Sequence, residues 1–192
     1  MSVVTVYRRS VLDFGRRAQL VTAEQWSNPT PCTDWDVRTL VNHVVGEQLW
    51  TVPLLAGQTM EQVGDRFEGD LLGNDPAGQA EQAAAAAALA AQAPDLLDRT
   101  VQLSFGPTPA EEYLFQLLAD HLIHGWDLAA AIGDDRRLDE HAVRLCATWF
   151  AGRQQMYRDA GIIGPPVPLD DAATDSDRLL AAFGRDPGWQ PS

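Results

Sequence analysis

The stretch LLADHLIHGWDLAAAIG, Leu117 to Gly133, decides how this chain folds. It is apolar at most positions, yet it carries Asp120, His121, His124 and Asp127. A helix that is apolar nearly all round belongs at the centre of a bundle. At ~100° per residue, Asp120, His124 and Asp127 fall within ~60° of one another, on the side of Tyr113 and Leu117. Phe115, Leu118, Leu122 and Trp126 occupy the other side. Asp120 and His124, four residues apart, stack one above the other. A buried carboxylate without a partner is strongly unfavourable, so something positive must face this helix. Two candidates fit: an arginine from a neighbouring helix, or a divalent cation.

Outward from that helix, the chain reads as further helices with short breaks. Val4, Tyr7, Val11, Phe14, Ala18 and Val21 recur at three- and four-residue steps, predicting a first helix over roughly 3–24. Two prolines in NPTPCTDWD end it. Thr33 is the expected N-cap of a second helix, with Asp36 completing a capping box, and that helix should run to about Trp50. Between Pro53 and Gly78 a loop with a single helical turn is expected. Asp75-Pro76 reads as an N-cap followed by proline at the first helical position, opening the alanine-rich QAEQAAAAAALAAQA. Small side chains there let neighbouring helices approach closely.

TVQLSF, Thr100 to Phe105, alternates and reads as a short extended segment. Thr108, Pro109 and Glu111 are the expected cap, first helical residue and capping-box partner of the fourth long helix, which Gly133 stops. A fifth helix is predicted over about Leu138 to Arg158. The tail from Gly161 is rich in proline and aspartate, with one short helix near Ser176 to Phe183 and an otherwise solvated surface. The expected fold is all-α: a single domain over 1–192, a four-helix bundle with an additional C-terminal helix, its irregular tail at 160–192 packed on the bundle.

Composition narrows the function. The chain has 192 residues, is 45% hydrophobic and 21% charged, and carries a formal charge of -13. Such an acidic chain lacks the basic face that nucleic acid requires, and it is repelled by anionic membranes. A monomer or small homo-oligomer is expected. The start, MSVVTVYRRSVLDFG, lacks the apolar core of a secretory signal, and the longest apolar run, Ala83 to Ala91, is too short for a bilayer. Cys32 and Cys146 are no disulfide framework and read as inert core thiols. These features point to a reduced, cytoplasmic protein.

His43 sharpens the choice of countercharge. It lies in the second helix with Glu47 one turn later, and bundle cores build metal sites from side chains on facing helices. His43, Asp120 and His124 would give three N/O ligands with an open position, a pattern suited to zinc or another first-row divalent ion. On spacing alone, hydrogen-bonded core histidines explain the pattern as well. His121 is turned ~100° from Asp120 and reads as a hydrogen-bonded structural residue. Asp127, one turn beyond His124, is placed either to orient an imidazole N–H or to pair with a base such as Arg38. Glu47 has three readings: a fourth ligand, a proton acceptor or a solvated charge. Trp35, Trp50 and Trp126 read as packing residues or as walls of a pocket. His141 is expected at the surface.

TPCTDWDVRTLVNHVVGEQLW, LLADHLIHGWDLAAAIG and the later AFGRDPGW together resemble the actinobacterial DinB-like metal-binding proteins. These are related to the N-terminal domain of mycothiol-dependent maleylpyruvate isomerase. The resemblance implies a DinB-like four-helix bundle holding one divalent metal, zinc or nickel, through His43, Asp120 and His124. It further implies mycothiol as a co-substrate, so that the partners would be a small-molecule thiol and an electrophilic substrate in transferase or isomerase chemistry. The isomerase is similar in pattern but has glutamate where Asp120 stands, and a C-terminal domain longer than this chain is expected to accommodate. A metal-dependent hydrolase using water, and a non-catalytic metal- or ligand-binding bundle, are the alternative functions.

Overall fold

A computed structural model describes residues 1–191. Its long helices are α1 (Val3–Ala18), α2 (Val37–Leu55), α4 (Pro76–Ala90) and α5 (Ala110–Ile132). Between α2 and α4 lies the one-turn α3 (Met60–Val63). After α5 come α6 (Glu140–Phe150), α7 (Gln154–Asp159) and α8 (Asp175–Ala182). The described residues are not all helical. β1 (Thr100–Leu103) and β2 (Gly106–Pro109) form an antiparallel hairpin in the register Thr100↔Pro109 to Leu103↔Gly106. The expected extended segment is therefore one arm of a hairpin whose second arm, GPTP, reads in sequence as a breaker.

Side-chain pairs give the helix directions. Arg8 Nε donates to Ala88 O, while Gln19 Nε2 reaches Ala77 O, so α1 and α4 run antiparallel. Tyr7 packs edge-on against His121 and Arg17 Nη1 donates to Gly125 O, so α1 and α5 run parallel. Gln48 meets His121 and His43 meets His124, so α2 and α5 run antiparallel. Leu114, Leu118, Ile123 and Leu128 of α5 are buried together with Tyr7, Phe14 and Leu40. The α1–α4 seam is the closest approach: a Cβ built on Gly15 would lie 2.8 Å from Ala84 Cβ. The buried alanines of α4 let it approach both α1 and α2 closely.

Several helix ends differ from expectation, each for a local reason. α1 stops at Ala18 because the next turns close as Leu20 N→Arg17 O and Val21 N→Ala18 O; buried Val21 merely continues the apolar phase. The cap of α2 is Asp36, which accepts from Thr39 N at 2.8 Å; Thr33 lies in the preceding turn. α2 runs through Pro53 to Leu55 although Pro53 has no N–H to give the carbonyl four residues back, and Gln58 N closes on Pro53 O. Pro109 is the residue before α5, and Ala110 N donates to Arg99 O in place of a Thr108 capping box. The fifth helix breaks at 151–153, where Arg153 turns to grip Glu112 (2.8 Å) and Trp149 O (2.6 Å). Asp75 caps α4 and Gly133, at φ +75°, ends α5, as the sequence predicts.

The tail is more than a solvated surface. Leu179, Leu180 and Phe183 are buried, and Phe183 stacks on Phe150 with ring centroids 3.9 Å apart. Arg136 Nη1 donates to Trp189 O at 2.7 Å, tying the last described turn to the end of α5. No helix is long and apolar enough to cross a membrane among the described residues.

Candidate metal centre

The α2–α5 seam carries the polar cluster. His43 projects from α2, Asp120 and His124 from α5, and one ligand atom of each lies within 4.8 Å of the other two. Asp120 Oδ1 is 3.4 Å from His124 Nε2 and 3.8 Å from His43 Nε2. Its other oxygen, Oδ2, is buried without a hydrogen-bond partner. Two imidazoles on one carboxylate, with an orphaned oxygen beside them, fit a divalent ion by both charge and donor type. Glu47, one turn after His43, brings Oε1 to 3.9 Å from His43 Nε2.

Asp127 performs both roles the sequence offers it. Its Oδ2 accepts from His124 Nδ1 at 3.0 Å, and the carboxylate also takes a fork from Arg185, with Nη2 at 2.9 Å and Nε at 3.1 Å. The cation is thus Arg185 rather than Arg38, which pairs with Asp70 at 3.0 Å on the surface. Arg185 stands 58 residues away in AFGRDPGW, so helical spacing on α5 cannot reveal it. Its guanidinium also settles a second cluster, Cys32, His124 and Asp127: the positive charge this group needs is already there.

The charges shift one another. Burial opposes a charge on His124, but Asp120 and Asp127 overcome it and raise the imidazole to about 10 in the metal-free chain. Burial likewise opposes ionisation of Asp120, yet His124 and His43 hold it well below the usual carboxylate range. Glu47 moves the other way, pushed up by desolvation and by Asp120. A proton on His124 therefore neutralises the acid when no ion does.

His121 lies outside this set. Its Nδ1 faces Leu117 O at 2.7 Å, an acceptor only, so Nδ1–H donates and Nε2 accepts from the Gln48 amide at 3.1 Å. Burial holds it neutral by lowering its pKa. Of the tryptophans, Trp35 alone reaches the cluster, with ring centroids 4.8 Å from His43 and 5.6 Å from His124. Trp126 is in the core and Trp50 packs on Phe67. Cys146 is buried, its thiol pushed up to about 12, whereas Cys32 is half-buried beside His124 instead of in the core. His141 is half-buried near Met1 O.

Residues 7–129 match the family model of the mycothiol maleylpyruvate isomerase N-terminal domain. Two uncharacterized proteins from two strains of Mycobacterium tuberculosis are each 31% identical over 192 residues, covering 96% of this chain and 98% of their own. A crystal structure of the mycothiol-dependent maleylpyruvate isomerase superposes with a TM-score of 0.69 at 19% identity, over 99% of this chain and 90% of that one. A histidine-to-alanine mutant of that isomerase gives a TM-score of 0.63 at 20% identity, over 85% of this chain and 72% of that one. The two superpositions take in 90% and 72% of the isomerase chain, and the first includes nearly all of this one. By the extent of the family match and the identity to these relatives, the chain belongs to the family of the mycothiol maleylpyruvate isomerase N-terminal domain.

Proposed function

We propose that the protein is a mycothiol-type thiol transferase or isomerase, with a divalent ion, zinc first and nickel second, held by His43, Asp120 and His124. The observation that carries this reading is the convergence of two imidazole Nε2 atoms on Asp120 Oδ1 while Asp120 Oδ2 is left buried and unpartnered. A bound divalent ion supplies the positive charge that makes a thiolate available near neutral pH. The chain supplies the rest. Asp127 holds the Nδ1–H of His124 and so directs the Nε2 lone pair toward Asp120. Arg185 pairs with Asp127, whose side chain is fully buried, and fixes the carboxylate that holds His124. Glu47, 3.9 Å from His43, is the nearest further carboxyl and serves as acceptor of the thiol proton once a bound cation offsets the Asp120 charge that helps push it up. In this reading the chain is one DinB-like domain, a cytoplasmic monomer or small homo-oligomer, and takes a small-molecule thiol and an electrophile, not nucleic acid or membrane, as partners.

Elemental analysis of the purified protein is the direct test. About one equivalent of divalent metal is expected, lost in His124→Ala together with thiol transfer from mycothiol to a simple electrophile or mycothiol-dependent isomerisation of maleylpyruvate, in which the thiol adds and leaves again. Equal metal content in the variant removes His124 from the site and the reading with it.

A further inference from the structure

The two candidate imidazoles are not held alike. His124 has Asp127 on its Nδ1. His43 is a third exposed, and its nearest carboxylate oxygens, on Asp120 and Glu47, stand at 3.8 and 3.9 Å, beyond hydrogen-bond reach. What does touch its ring is Trp35, tilted 51° to it at 4.8 Å, which also lies nearly parallel to His124 at 24° and 5.6 Å. One indole thus covers one imidazole from each of two facing helices.

The loop before α2 is built to deliver that indole. Thr30 is buried, its N–H and hydroxyl both donate to Trp35 O, at 3.2 and 2.9 Å, and its hydroxyl accepts from Cys32 N. Asn28 fastens the loop to the end of α5 through Ala131 O, and Val37 N returns to Asn28 O. Asp34, just before Trp35, adopts φ +68°, a left-handed conformation uncommon outside glycine.

We infer that Trp35 is a positioning residue for the candidate metal centre, clamping the His43 and His124 rings so that both Nε2 atoms face Asp120 before any ion arrives. The inference rests on the metal reading above. Trp35 does for His43, by ring packing, what Asp127 does for His124 by a hydrogen bond. A partner that orients a metal-ligating imidazole is worth roughly ten- to hundred-fold in metal affinity, and that range sets the expected effect.

The test titrates metal-free wild type, Trp35→Phe and Trp35→Ala with Co²⁺ and, by competition, Zn²⁺, with circular dichroism to show that each variant is folded. Trp35→Ala is expected to bind both ions roughly ten- to hundred-fold more weakly and with an altered Co²⁺ absorption spectrum, whereas Trp35→Phe recovers most of both. Ni²⁺ should quench part of the wild-type tryptophan emission, and that part should vanish in Trp35→Phe. In the metal-free protein, the ring protons of His43 and His124 should lose their upfield ring-current shift in Trp35→Ala. Wild type that takes no metal overturns the metal reading and the clamp together. Metal-binding wild type with unchanged Co²⁺ affinity and spectrum in Trp35→Ala overturns the clamp alone. Should Trp35→Ala fail to fold, Trp35→Phe decides through the Ni²⁺ signal: quenching equal to wild type sinks the proposal.

Discussion

His124 is gripped on both ring nitrogens by carboxylates, and a proton and a metal ion compete for the same Nε2. Its folded pKa, about 10, is above the ordinary histidine value. The stability it lends the metal-free protein is therefore complete below about pH 6.5 and lost as pH rises toward about 10. Asp120 is shifted down, so its share is present above about pH 3.9 and lost as pH falls. Metal-free protein should be most stable between those limits. Zinc binding releases the His124 proton, so apparent affinity should rise by up to roughly tenfold per pH unit across pH 7–9, measurable by calorimetry in buffers of different ionisation enthalpy. Flat affinity over that range would show that no proton is displaced. Asp127→Ala should destabilise by about 3–5 kcal/mol in urea unfolding, because Arg185 is left buried without its partner.

How legible these residues are in the sequence follows from distance along the chain. Asp120, His124 and Asp127 share one helix, and ~100° per residue sets them on one face by spacing alone. His43 needs only the inference that two helices face each other. Arg185 is not legible as a partner of Asp127 at all, and Trp35 only as one of three tryptophans that pack or wall a pocket. The first arrives through the packing of Phe183 on Phe150, the second through the left-handed turn at Asp34, and neither leaves a periodic trace.

Among elements, the α1–α4 seam is set by the absence of side chains. Gly15→Ala would press a methyl to 2.8 Å from Ala84 Cβ. Overpacking of this kind typically costs about 1–3 kcal/mol, or roughly 2–4 °C in Tm for each kcal/mol in a chain of this size. Thermal melts of metal-free Gly15→Ala should show that drop with Co²⁺ affinity nearly unchanged, since His43, Asp120 and His124 lie on α2 and α5 and none on α1 or α4. The helix periods are legible because long apolar stripes override local detail. The boundaries are less so: Asp36 and Thr33 are equally good caps by residue type, and hydrogen bonding to Thr39 N chooses between them. The β1–β2 hairpin escapes notice because prolines 107 and 109 mark β2 as a break, yet the strand needs only Thr108 buried against the bundle.

For the whole molecule, the segment after α7 braces the site from outside the bundle. Phe183→Ala should cost about 3–5 kcal/mol as a large-to-small core change. It should also weaken Co²⁺ binding, because Arg185 hangs on the same turn as Phe183 and loses its seat beside Asp127. Loss of stability with unaltered metal affinity would show that the tail braces the bundle but not the site. The chain's acidity, -13 overall, makes such bracing more valuable: few bases are available, and one of them is spent on a single buried carboxylate.

The position of Arg185 also orders events during synthesis. By the time residue 132 has left the ribosome, every imidazole and carboxylate of the cluster has been made, yet Asp127 still lacks its guanidinium for another 53 residues of translation. At that stage the carboxylate has no guanidinium to pair with, and burying it alone would be strongly unfavourable. Docking of α8 and of the turn after it is what brings the guanidinium to Asp127.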